Sequence, residues 1–112
     1  MSAQTSVVTA SEQIFTEVSS WSGVSIGELG SRGETPVLHR RRELGHLHGD
    51  RVLHIGFPKQ VWHELHDAGR IDYHPVFPGK VGWAARQIRD DEDVRDVIAL
   101  LRINYERSAA KG

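Results

Sequence analysis

Residues 43–54, Glu-Leu-Gly-His-Leu-His-Gly-Asp-Arg-Val-Leu-His, gather three of the chain's 7 histidines and two carboxylates into one short segment. Imidazole is the side chain that changes charge near neutral pH, so this grouping offers proton donors, proton acceptors and metal-ligating nitrogens together. His46 and His48 are separated by one residue. In an extended strand their side chains leave the same face, while Leu47 between them points to the opposite, core-facing side. His48-Gly49-Asp50-Arg51 has the composition of a tight turn, and a strand pairing back after it would bring His54 toward the pair. Three readings are open. The histidines, with Glu43 or Asp50 as orienting carboxylates, suit a metal-free acid–base or binding site. The same groups suit a zinc or non-haem iron site with open positions for water or oxygen. Alternatively, they fill a polar sheet face and hydrogen-bond for structure alone.

Other residues could join this group. His74 precedes Pro75, which keeps the histidine's backbone out of the helical region and gives it a fixed extended direction. Trp83 is a candidate stacking surface, and it is grouped with His54 and Arg51 as substrate-binding. Trp62 and Tyr105 lie in amphipathic stretches and read as core, whereas His63 and His66 fall on a helix's polar side and read as solvated. The run His39-Arg40-Arg41-Arg42 raises nucleic acid as a partner, but an extended chain sends alternate arginines to opposite faces. The simpler expectation is an edge strand protected by charge. Gly27 to Gly33 lacks the lysine of a phosphate loop, and no serine sits in a nucleophile elbow.

The elements that must position these groups follow from periodicity. Thr9-Ala10-Ser11-Glu12 fits a capping box, and Ile14, Val18 and Trp21 behind it predict a helix over 9–20. A β-like segment through Val24, Ile26 and Leu29 is followed by strands over 37–44, with Pro36 at the start, and 52–57. Pro58 opens a helix running to Ala68, with Val61, Trp62, Leu65 and Ala68 on its apolar face and Gly69 as its stop. Extended segments over 71–77 and 81–88 meet at Pro78-Gly79. A last helix starts at Asp90-Asp91-Glu92-Asp93, carries Val94, Val97, Ile98, Leu101 and Tyr105 on one face, and has basic residues at its far end. The order α-β-β-β-α-β-β-α predicts an α+β single compact domain, a largely antiparallel sheet covered by about three helices. It is expected to occupy residues 9–107, between polar tails at 1–8 and 108–112.

Composition narrows the function classes. A chain of 112 residues, 38% hydrophobic and 26% charged, holds one core and is neither disordered nor membrane-embedded. With 14 basic and 15 acidic residues there is no overall field for nucleic acid, which is not expected as a partner. The absence of cysteine removes disulfides, zinc–thiolate sites, iron–sulfur clusters and thiol catalysis. No apolar run approaches the roughly 20 residues of a membrane span, and the first ten residues lack a signal peptide's basic start and apolar core, so no membrane contact and a cytoplasmic location are the expectation.

Arg42-Glu43 followed by His46-x-His48, the Leu53-His54 strand, Gly69, His74-Pro75, Trp83 in its strand and the acidic-start helix ending near Tyr105 together resemble the luciferase domain family. That family groups small bacterial proteins with the fungal luciferases. The resemblance covers residues 42 to about 107, with a shorter interval between His48 and His54 than in the fungal enzymes. It implies an oxygenase that adds molecular oxygen to an enolisable aromatic or pyrone-like compound without an organic cofactor. A histidine of the His46, His48 and His74 set would be the base, Glu43 or Asp50 would orient it, and Trp83 would line the pocket for a small-molecule ligand. No resident metal is expected, because the imidazoles have no obvious fourth ligand of fixed geometry. The alternatives are a non-catalytic module that binds a small molecule or protein, and a metal-dependent oxygenase using the histidines and carboxylates.

Overall fold

The computed structural model describes residues 8–111; nearly all of the expected N-terminal tail, and Gly112, lie outside the described residues. Helix α1 (Ala10–Ser19) begins in the expected capping box, Thr9 and Glu12 each satisfying the other's backbone N–H, and buries Ile14 and Val18. Four strands follow: β1 (Val24–Ile26), β2 (Glu34–His39), β3 (Arg42–His48) and β4 (Val52–Gly56). Helix α2 (Lys59–Asp67), strands β5 (Asp72–Tyr73) and β6 (Trp83–Gln87), and helix α3 (Asp91–Ala110) complete the chain.

The strands form one six-stranded sheet in the order β1-β2-β3-β4-β6-β5, every neighbouring pair antiparallel. This is the expected α+β architecture, with local differences, the first being that the extended segment expected over 71–77 is a strand only at Asp72–Tyr73 and then turns, the Phe77 N–H closing on the His74 carbonyl. Residues 37–44 are two strands rather than one, because the chain reverses at Arg40 and Arg41, Arg40 adopting φ 58°. Three adjacent arginines therefore mark a hairpin tip, and β2 is interior to the sheet; the edges are β1 and β5. The last helix also runs past the expected domain end at 107, to Ala110, and buries Ser108.

All three helices contribute to one core. Val37, Leu47, Leu53, Ile55 and Ala84 from the sheet join Ile14, Val18, Trp62, Leu65, Val94, Val97, Leu100 and Leu101 from the helices in a single buried cluster. A side chain at Gly45 would stand 3.1 Å from Leu101 and 3.2 Å from the His54 carbonyl, so the glycine allows α3 to lie close against β3. The strand period of two then sends the intervening positions of β3, β4 and β6 to the other face of the sheet.

Candidate functional site

That other face carries the histidines. His46 and His48 lie on β3, and the register sets His46 directly opposite His54 on β4. A three-residue turn with Gly49 at φ 57° fixes this pairing, since the left-handed conformation favours glycine. On the next strand Trp83 lies opposite Gly56, two residues from the Ala85–His54 pair and so on the same face. His74, just past β5, completes the group: its ring centroid is 4.0 Å from that of His54, which is itself 4.6 Å from His48 and 5.4 Å from His46.

Glu43 reaches this face through an irregularity. Residues three apart on a regular strand point to opposite sides, yet the Glu43 carboxylate accepts a hydrogen bond from His46 Nδ1 at 2.9 Å. The register shifts between Val37 and Leu38, which face Gly45 and Glu43, and Leu44 is the extra residue of a β-bulge. The bulge turns Glu43 to the histidine side and leaves Leu44 buried. Asn104 of α3 holds it in place, donating to the carbonyls of Leu44 at 3.0 Å and Gly56 at 2.8 Å.

The histidines line a cavity of about 270 Å3 together with Arg32, Glu34, Val76, Phe77 and Trp83. Phe77 and Trp83 lie 5.7 Å apart at 31° and are 38% and 45% exposed, which makes an aromatic rim open to solvent. Trp62 donates its indole N–H to the Trp83 carbonyl at 2.8 Å and anchors the start of β6 beneath that rim.

The hydrogen bonds assign two tautomers. With Nδ1–H given to Glu43, neutral His46 keeps its lone pair on Nε2. His74 is the reverse: its Nδ1 accepts the Val76 N–H at 3.1 Å, so its proton sits on Nε2. Burial pushes the His54 imidazole from 6.5 down to about 4, and the neighbouring His74, His48 and His46 add to the effect. His74 is lowered for the same reasons, burial first and then His46 and His48. Glu34, opposite His48 on β2, is held below the usual carboxylate range chiefly by its own backbone N–H, with further help from the Arg32 N–H and from His46 and His48.

The structure therefore brings Glu43, His46, His48, His54, His74 and Trp83 together. It does not bring Asp50 or Arg51. Asp50 accepts the Ser11 N–H at 2.9 Å, tying the β3–β4 turn to the first turn of α1, and this bond is the main cause of its lowered pKa. Arg51 is exposed in the same turn, its carbonyl accepting the Ile88 N–H. His66 is half-buried and stacks on Trp62 at 4.6 Å and 14°, so it packs against the indole where solvation was expected. Glu34, Arg32, Val76 and Phe77 were not legible as site residues. Glu34 could have been reached through the alternation of β2, whereas Phe77 sits in a loop with no periodicity to place it.

A two-layer α+β domain with its helices on one sheet face and an open, histidine-lined cavity on the other is the class that fold and site define. The luciferase domain family model matches residues 41–104, more than half of the chain, and the protein belongs to that family. No curated protein sequence and no solved structure matches it. Among the described residues no helix is long and apolar enough to cross a membrane.

Proposed function

We propose that the cavity binds a flat, enolisable aromatic or pyrone-like compound as its anion and acts as an oxygenase on it, with molecular oxygen as co-substrate and no organic cofactor. The observation that carries this reading is the convergence of His46, His48 and His54, each with a ring nitrogen within 4.8 Å of the others, on the floor of a cavity rimmed by Phe77 and Trp83. A volume of about 270 Å3 is just under the ~300–1,000 Å3 typical of drug-sized ligands and suits a one- or two-ring compound. The ring plane stacks against Phe77 and Trp83, and its acidic hydroxyl faces the histidines.

In this reading the cluster's free lone pairs take the enol proton. Glu43 keeps His46 in the tautomer with Nε2 available, and the His74 Nε2–H donates to the enolate oxygen. The enolate carbon then adds to oxygen. One C–O bond forms, dioxygen is reduced to the hydroperoxide level, and the proton taken from the enol returns to the terminal oxygen.

The test is titration with 4-hydroxy-2-pyrone, followed by tryptophan fluorescence with oxygen uptake recorded in parallel. Wild type should bind and consume oxygen, and His46→Ala and Phe77→Ala should each bind at least about tenfold more weakly. Binding unchanged by either substitution overturns the assignment of the cavity. Histidine-dependent binding with no oxygen uptake makes this a binding module instead of an enzyme.

A further inference from the structure

We propose that His46, His48 and His54 hold one divalent first-row transition-metal ion, of the zinc, iron and cobalt class, with its open coordination positions facing the Phe77–Trp83 rim. This rests on the cavity reading above and says what occupies its floor. The three ligands come from two adjacent antiparallel strands, two at i and i+2 and the third directly across at the His46–His54 pair. Same-face neighbours of this kind have Cβ atoms about 4.5–8 Å apart, close enough for three imidazoles to meet at one point. Their ligand nitrogens already lie within 4.8 Å of one another. Around an ion with metal–nitrogen distances of about 2.1 Å, tetrahedral or octahedral neighbours sit about 3.0–3.4 Å apart, so small rotations of half-buried rings close the site.

Two hydrogen bonds decide which histidines take part. Glu43 holds Nδ1–H of His46 and directs its Nε2 lone pair outward, the carboxylate–histidine arrangement that orients a ligating imidazole. His74 is excluded although its ring lies nearest to His54, because its Nδ1 lone pair is engaged by the Val76 N–H and its Nε2 carries the proton. It serves as a hydrogen-bond donor to whatever fills the open positions. Neutral imidazole ligands without thiolate favour zinc, iron, cobalt, nickel or copper over magnesium and calcium, which prefer oxygen. With three protein ligands the site is of the open, reactive kind. With the ion bound, the His46 lone pair would be spent on it, and the ion would supply a hydroxide as base in place of that imidazole.

Chelator-stripped protein titrated with Zn2+ against a chromophoric competitor, and with Co2+ followed by its visible spectrum, tests this. The expected result is one ion per chain, weakened at least about 100-fold in His48→Ala and in His54→Ala, about tenfold or more in Glu43→Gln, and unchanged in His66→Ala. Near-ultraviolet circular dichroism establishes that each variant is folded, and two independent ligand variants guard against the loss of either one. Uptake below one ion per chain in wild type, or equal affinity in wild type and both ligand variants, overturns the proposal. Pyrone titration of the stripped protein separates the two readings. Histidine-dependent pyrone binding without metal uptake removes the ion and leaves the cavity, whereas metal uptake without pyrone binding in the loaded or stripped protein removes the ligand assignment and leaves the ion.

Discussion

Histidines on the two faces of this sheet live under opposite conditions. His39, on the helix side, is 4% exposed; its Nδ1 is 2.7 Å from the Ser108 hydroxyl and its ring meets Tyr105 edge-on. The buried side chains of the described residues leave no polar atom without a partner. On the open face four imidazoles crowd within a few ångströms, and among the described residues only the Nδ1 atoms of His46 and His74 have hydrogen-bonding partners. Packing like-charging rings together stabilises nothing by itself, because protonating one disfavours protonating its neighbours. A histidine matched to a buried hydroxyl is explained by the fold, whereas the six remaining ring nitrogens beside an aromatic rim are what the proposed ligand or ion would engage.

The comparison is broken most severely through the core that both faces share. Leu101 is fully buried and packs toward Gly45 beneath the cluster, so Leu101→Ala should lose about 2–5 kcal/mol in urea unfolding. A loss below about 1 kcal/mol would mean that α3 does not clamp the sheet. Next in size is the contrast between the two kinds of histidine. His39→Ala leaves the Ser108 hydroxyl buried without its partner and should lose about 1–3 kcal/mol, while His48→Ala should lose less than about 1 kcal/mol yet abolish ligand or metal binding. Equal losses of stability in both variants would erase the distinction and make the open-face histidines structural.

The smallest effect is the dependence of stability on pH in the metal-free protein. The folded-state pKa of His54 is lowered from 6.5 to about 4, so between those values the unfolded chain binds the proton more readily. The stability that depends on an uncharged His54 is fully present above pH 6.5 and is lost as the pH falls toward about 4. Partial exposure of the ring moderates the size. Wild type should therefore lose more stability across that window than His54→Gln, with carboxylate protonation common to both and cancelling in the difference. Parallel pH profiles would show that His54 titrates as it does in the unfolded chain.

The local elements were legible in the sequence because each rests on interactions among neighbours along the chain. The Thr9–Glu12 box, the turn at Gly49, the acidic start of α3 and the His46-x-His48 face all follow from spacing of four residues or fewer. The hairpin at Arg40 is not legible in the sequence because arginine is a poor signal for a left-handed turn, and a tertiary hydrogen bond from the Arg40 N–H to the Gly23 carbonyl helps hold it. Asp50 reads as a partner for the histidines because it is close in sequence, but it accepts the Ser11 N–H, one of the donors left free at the start of α1.

By itself, the sequence determined the α+β class, a shared face for His46 and His48, and the cluster's chemical character, since composition and strand period require no long-range information. Only the tertiary structure decided that His54 pairs across from His46, that His74 arrives from a distant segment, and that a bulge held by Asn104 turns Glu43 toward His46. Register, bulges and loop closure depend on which strands meet and what packs behind them, and a helix some sixty residues away along the chain supplies the two hydrogen bonds that set this one.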